Sequence, residues 1–405
     1  MIIQNYDASF SQSLTGPILI DASGLPRYWS AVWSTMCAGR LADSTHIKKL
    51  RYIENLYHFA DISQGPGSLD DALGALDDRT LASILESWFI SIRNQPTINA
   101  SNHLRWQTGL AFVTFIVQSL AKGDGNNRMR NIEGRLRQLS VLYSQFRIKK
   151  RNSPETIRSL PASIVQTLYS ILAPDSDLNP FPRLRTRWRV YVAFILMLHQ
   201  GLRRGEILLL PADAVKSDFD IKRGAIKYWI NIQGNRYEDS SSDHRHSRPG
   251  IKTRNSVRQI PISESVAQII EAYAQNHRGR PTHSYLLNSP SNAPLSTEAL
   301  TKAFALISAR LPKAIIQELE VRTGKTSITP HDLRHTCAVA ILSRLLMQGD
   351  SMDEALQKMR TFFGWSREST MPSRYAKAVF EDRLASVWND AFDDRVELLR
   401  SISKG

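Results

Sequence analysis

Only two cysteines occur in 405 residues, Cys37 and Cys337, far apart and in apolar surroundings. That excludes a disulfide-framed fold and fits a reducing compartment. There is no CxxC and no HExxH, so the commonest zinc spacings are missing. His244 and His246, in DHRH, lie in a very polar stretch that reads as a solvated loop and not as a metal site. No apolar run reaches the roughly 18–20 residues needed to cross a bilayer. The longest, VYVAFILML at 190–198, has the length of a buried helix. The N-terminal MIIQNYDASF lacks a basic region followed by an apolar stretch, so no secretion signal is expected. Internal repeats, low-complexity tracts, a phosphate-cradling glycine loop and a carboxylate cluster for a metal are missing as well.

What the chain does have is positive charge. Lysine and arginine number 52 against 38 aspartates and glutamates, a net charge of +14. A polyanion is the simplest partner for such a chain, because each neutralised phosphate releases condensed counterions. Basic residues cluster at Arg147, Lys149, Lys150 and Arg151, and again at Arg183, Arg185, Arg187 and Arg189. The length exceeds that of one typical core and suggests two domains.

Residues 1–25 carry no clear periodicity and read as an irregular arm. From there to 148 the pattern is helical. HIKKLRYIENLYHFA puts Ile47, Leu50, Ile53, Leu56 and Tyr57 on one face. DDRTLASILESWFISIRN opens on acidic residues, which suit a helix N-terminus. Residues 149–162, KKRNSPETIRSLPA, are basic, carry two prolines and read as a linker. The second half opens mostly helical. Two strand candidates follow, AIKYWINIQ at 225–233 and SVRQIPI at 256–262, expected to form a hairpin-like pair with a long polar, extended and mobile connection. Helical patterns then resume.

Several segments of this second half carry chemistry. In HQGLRRGEILLL an apolar helix ends at Gly201, Arg203 follows, and Glu206 lies where it can orient the guanidinium. Lys252 opens KTRNSVRQIPI at the loop before the second strand; Lys222 and Lys227 compete with it less well. In SITPHDLRHTCAVAIL, Thr329 can cap a helix and Pro330 suits its first turn. His331 and Arg334 then share one helix face. Arg334 can donate two parallel hydrogen bonds to phosphate oxygens, and His331 can bind another oxygen or help take a proton. SMDEALQKMRTFFGW pairs Ser351 with Glu354 as a capping box and ends at Gly364, which sets Trp365 just past a helix end. Tyr375, in SRYAK, is the one tyrosine after Arg334.

In order, spacing and local setting, Arg203, Lys252, His331, Arg334, Trp365 and Tyr375 resemble the active-site series of the tyrosine recombinases, the phage-integrase family. The resemblance is strong over roughly 160–385 and weaker over 30–150. It implies a mainly α fold with a small antiparallel β-sheet (α+β): a helical core-binding, DNA-binding domain over 26–148, a linker over 149–162, a catalytic domain over 163–385 and a tail over 386–405. It implies a site-specific DNA recombinase or integrase working through a covalent 3′-phosphotyrosine, without cofactor or metal, in the integration or excision of a mobile element. It implies double-stranded DNA target sites, a homotetramer on two such sites, room for accessory proteins, no membrane, and a prokaryotic, nucleoid-associated cytoplasmic setting. In that reading Arg203 and Arg334 clamp the phosphate, His331 and Trp365 complete the donor shell, Tyr375 attacks, and Lys252 protonates the departing 5′ oxygen. The amphipathic VFEDRLASVWNDAFDDRVELLRSI packs either on its own chain or on a neighbour. Two alternatives stay open: a type IB topoisomerase, which relaxes DNA with the same chemistry, and a DNA-binding protein without catalysis.

Overall fold

The computed structural model describes residues 2–4, 16–37, 41, 43–96, 100–121, 127–144, 159–222, 224–238, 243, 245, 249–251, 254–377 and 379. The chain divides into two compact units, 1–153 and 154–405.

The first unit is built from six helices: α1 (Tyr28–Cys37), α2 (Asp43–Gln64), α3 (Ser68–Gly74), α4 (Asp78–Arg93), α5 (Ala100–Ala121) and α6 (Asn127–Ser144). In α2 the expected stripe is buried at Leu50, Ile53, Leu56 and Tyr57, with Ile47 at its margin. Asp77 caps α4 by accepting from the backbone N–H groups of Arg79 and Thr80. The apolar faces of these helices meet around Trp88, Phe112 and Trp106. The stretch read as an irregular arm contains two short strands, β1 (Ile2–Gln4) and β2 (Pro17–Leu19), paired antiparallel. Three-residue strands are too short to show a two-residue period, and Leu19 is drawn into the helical core by packing.

The second unit is mainly helical around a three-stranded antiparallel sheet. Its helices are α7 (Ala162–Leu172), α8 (Leu184–His199), α9 (Arg204–Leu209), α10 (Glu264–Ala272), α11 (Thr297–Ala309), α12 (Lys313–Thr323), α13 (Pro330–Met347) and α14 (Met352–Phe363), with a further helical segment over 371–377. The sheet runs β3 (Val215–Asp220), β4 (Ala225–Ile232), β5 (Arg258–Ile262) in that order. Both expected strands are present, with Ile230 opposite Ile260 and both side chains in the core. Strand β3 was not legible: VKSDFD has two apolar residues in six, and as an edge strand it stays largely exposed. Helix α8 is buried on nearly every side from Val190 to Leu198, as its continuous apolar run requires. It packs against α13 and forms the centre of the main core. A second, smaller apolar cluster lies between α13 and α14 and includes Trp365 and Tyr375.

The arginines at 185, 187 and 189, clustered in the sequence, are engaged by the fold. Arg187 donates to the carbonyls of Phe181, Pro174 and Ser176, Arg189 is buried against the carbonyl of Asn288, and Arg185 reaches the carbonyl of Arg278. Their charges serve to satisfy buried backbone oxygens. Likewise the polar β4–β5 connection is anchored where it is described. Arg245 is buried against Asp243, donates to the carbonyls of Leu208 and Leu295, and lies 4.3 Å over the ring of Tyr285. His244 and His246, the cluster at Arg147–Arg151 and the C-terminal amphipathic stretch beyond Val379 lie outside the described residues. Among the described residues no helix is long and apolar enough to cross a membrane, and no cluster of three metal-ligating side chains occurs.

Candidate active site

The site starts from two helix ends. Helix α8 stops at His199, and Gly201 turns the chain with φ of +57°. A side chain there would put its Cβ 2.3 Å from Cε1 of Phe363, so conformation and space both demand glycine. Helix α14 stops at Phe363 with Gly364 at φ of +63°, close against the backbone of Asn255 and Ser256. These turns leave carbonyls that no helical N–H can reach.

Arginines take them up. At the end of α14, the carbonyl of Phe362 accepts from Nε of Arg258 (2.7 Å), that of Phe363 from Nη2 of Arg334 (2.9 Å), and that of Gly364 from Nη2 of Arg203 (3.4 Å). Nη1 of Arg334 donates to the carbonyl of Gly201. Three guanidinium groups are thus gathered at the negative end of one helix. Arg204, next to Arg203, points elsewhere and donates to Thr301.

A single buried carboxylate serves all three. Glu206, 2% exposed, accepts from Nη1 of Arg203 at 2.6 Å and from both Nη atoms of Arg258 at 3.1 Å, and lies 3.9 Å from Arg334. Burial by itself would raise its pKa. The hydrogen bonds and charge of Arg258, with Arg203 and Arg334, outweigh that and hold it below the usual carboxylate value. Arg334, 3% exposed, has its pKa pulled down to about 9, first by burial and then by the charge of Arg203. It still carries its proton at neutral pH.

Helix α13 begins as its sequence promised. Pro330 occupies the first turn, and Asp332 accepts from the N–H and hydroxyl of Thr329. This start places His331 at the exposed edge and Arg334 in the interior. One turn beyond His331, His335 brings its ring to 4.2 Å from that of His331. Nδ1 of His335 lies 2.5 Å from the hydroxyl of Tyr375.

Tyr375 is 4% exposed, and its ring is the last of a stack. Phe363 and Trp365 lie with centroids 4.7 Å apart and planes 13° apart; Trp365 and Tyr375 follow at 5.4 Å and 16°. The guanidinium of Arg334 stands 4.9 Å from the centroid of Phe363 and 5.9 Å from that of Trp365. Burial raises the pKa of the Tyr375 hydroxyl, and Arg334 and Arg203 oppose that only in part.

The structure therefore brings Arg203, Arg334, Trp365 and Tyr375 into one connected cluster, with His331 joined to it through His335. Lys252 lies outside the described residues. Two further members were not singled out from the sequence. Arg258 sits in a strand whose alternation draws attention to its isoleucines. His335 is in plain sight beside Arg334, but only the packing of 371–377 shows what it faces.

The model of the phage integrase family matches residues 176–381. The chain belongs to the phage integrase family. This family member is accordingly an enzyme of the tyrosine site-specific recombinase type, with DNA as its partner. Among solved structures it is similar to the XerA recombinase, at 13% identity and a TM-score of 0.33, over 86% of this chain and 92% of that one. It is also similar to a lambda integrase dimer bound to a COC′ core site (15%, TM-score 0.40) and to lambda integrase bound to DNA (14%, TM-score 0.42). Each of those two matches covers 86% of this chain and 94% of the other. No curated protein sequence matches the chain. Family membership rests on the family-model match.

Proposed function

We propose that this phage integrase family member cleaves and rejoins DNA through a covalent 3′-phosphotyrosine at Tyr375. The observation that carries the reading is the placing of Tyr375 and Arg334, both buried, against one tryptophan. The phenol ring stacks on the indole of Trp365 at 5.4 Å, and the guanidinium carbon stands 5.9 Å from the centroid of that same indole. Attack on a phosphodiester builds charge on its oxygens, and preorganised donors are the largest stabilising influence on such charge. Each guanidinium has five N–H groups. Arg334 gives two of them to carbonyls, and Arg203 gives its own to Glu206, Ser256 and Gly364, so both keep donors for phosphate.

In this reading His331 and Trp365 complete the donor shell, and Lys252 protonates the departing 5′ oxygen. The tyrosyl ester conserves the energy of the broken bond, so two successive transesterifications exchange a strand. The helical domain at 26–148 and the catalytic domain at 163–385 grip the duplex together, joined by the linker at 149–162. Four copies act on two DNA sites, in the integration or excision of a mobile element.

The test compares the unmodified chain with Tyr375→Phe on duplex DNA. The variant is expected to bind but to form no denaturation-resistant protein–DNA species; a covalent species with Tyr375→Phe refutes the assignment. Run beside it, a two-site recombination assay and a supercoil-relaxation assay separate strand exchange from relaxation alone. Relaxation without recombination would make the chain a type IB topoisomerase in function.

A further inference from the structure

A phenol that attacks phosphorus must lose its proton, and the raised pKa of Tyr375 means that it arrives with that proton in place. The sequence pointed to His331 as a helper for this step. His331, however, occupies the exposed edge of α13, where a histidine donor can meet a phosphate. His335 is the imidazole that touches the hydroxyl, Nδ1 to Oη at 2.5 Å, with the rings 5.5 Å apart and inclined by 49°. An acceptor must lie within about 2.6–3.2 Å of the oxygen whose proton it takes, or closer.

We propose that His335 is the catalytic proton acceptor for Tyr375, leaving His331 to donate to the phosphate; this rests on Tyr375 being the nucleophile. As the Oη–phosphorus bond forms and the phosphorus–O5′ bond breaks, the hydroxyl proton passes to Nδ1 of neutral His335. The 5′ oxygen takes its proton from Lys252. On rejoining, the 5′ hydroxyl returns that proton to Lys252 and attacks, the Oη–phosphorus bond breaks, and Tyr375 recovers its proton from His335. No proton or electron is consumed over the cycle.

The two histidines of α13 are neighbours. The ring of His335 is 4.2 Å from that of His331. The division of labour follows from the i, i+4 spacing, which puts both rings on one helix face, one outside and one inside.

The test uses the full chain and nicked duplex DNA that traps the covalent adduct, carrying a site first mapped by adduct formation with the unmodified chain. His335→Phe keeps the ring and loses the nitrogens. His335→Asn keeps a polar group near Nδ1 that cannot take the proton. Both are expected to bind DNA and to form adduct roughly 10²–10⁴-fold more slowly. Placing 3,5-difluorotyrosine, whose phenol is more acidic, at position 375 should restore His335→Phe at least about tenfold, since a smaller proton affinity needs less help. A purely structural defect would show the same deficit with either tyrosine, and that result overturns the proposal. So does a His335→Asn variant that cleaves at the unmodified rate. If both variants cleave normally while Tyr375→Phe is inactive, His335 is excused and the nucleophile stands. If Tyr375→Phe still forms adduct, or the unmodified chain forms none on any duplex, the nucleophile itself falls.

Discussion

Replacing Glu206 with glutamine removes one negative charge and almost no volume from beneath three guanidinium groups. The carboxylate lies 2.6 Å from Arg203, 3.1 Å from Arg258 and 3.9 Å from Arg334. At an effective dielectric near 20, a unit pair at about 4 Å is worth ~4 kcal/mol, and removing one member of a buried pair costs roughly 3–5 kcal/mol because the partner is left uncompensated. Three partners share this one, but their own repulsion grows when it goes, so about 3–5 kcal/mol is the expected loss. For a domain of this size each kcal/mol lowers Tm by roughly 2–4 °C, which gives a fall of about 6–20 °C. Thermal unfolding followed by circular dichroism, at pH 7 in dilute buffer free of phosphate and sulfate, measures it. The folded pKa of Glu206 lies below its ordinary value of 4.5. Its contribution is therefore complete above that value and is lost as pH falls through the depressed one, where the protonated acid resembles glutamine. The gap between the two proteins should close in acid. Adding sulfate should raise Tm more for the variant than for the parent, since an anion then replaces the missing charge. A Tm within about 2 °C of the parent at pH 7, under 1 kcal/mol by the same conversion, would refute this account of the cluster.

Other outcomes follow from the same geometry. Gly201→Ala forces a Cβ to 2.3 Å from Phe363 at positive φ, and should cost at least about 1–3 kcal/mol in urea unfolding while slowing adduct formation through the Arg334 anchor on the same residue. Trp365→Ala opens the aromatic stack and should cost about 3–5 kcal/mol. Trp365→Phe keeps a ring between Phe363 and Tyr375 and should recover most of that stability; if adduct formation does not recover with it, the indole N–H is the group that matters. For Lys252, a bridging 5′ sulfur leaves as a thiolate and needs no proton. Lys252→Ala should be slow on ordinary DNA and near the parental rate on the sulfur-substituted duplex, whereas Arg334→Ala stays slow on both. A rescue seen instead with Lys222→Ala or Lys227→Ala would move the general-acid role there.

Much of this site could be read before the structure, and the legible parts share a cause. Thr329-Pro330 and Ser351 with Glu354 act within one helical turn, so the residues themselves place α13 and α14. Gly201 and Gly364 end their helices for reasons equally local. What could not be read depends on partners distant in sequence. Glu206 suggested an orienter for Arg203, and it also balances Arg258 and Arg334, 52 and 128 residues further on. Arg258 satisfies a carbonyl 104 residues away. The arginines of α8 added to the net charge that suggested a polyanion, because composition counts charges without counting the buried carbonyls that employ them. Strand β3 is defined by pairing with β4, since its own residues show little two-residue alternation.

The thiol of Cys337 gives the site its own built-in probe. It lies beneath Gly201, donates to the carbonyl of His199 at 3.5 Å, and has its pKa pushed up to about 12 by burial. A thiol so placed is chemically silent while α8, α13 and Phe363 stay together, because only the exposed thiolate reacts. In a chain with Cys37 changed to serine, the rate of thiol modification becomes a clock for separation of the very elements that hold Arg334. Its ratio to the rate for a free cysteine, when opening is a rapid equilibrium, gives the free energy of that local opening. The same clock, run with and without DNA, would show whether the duplex tightens the catalytic cluster or loosens it before the strand is cut.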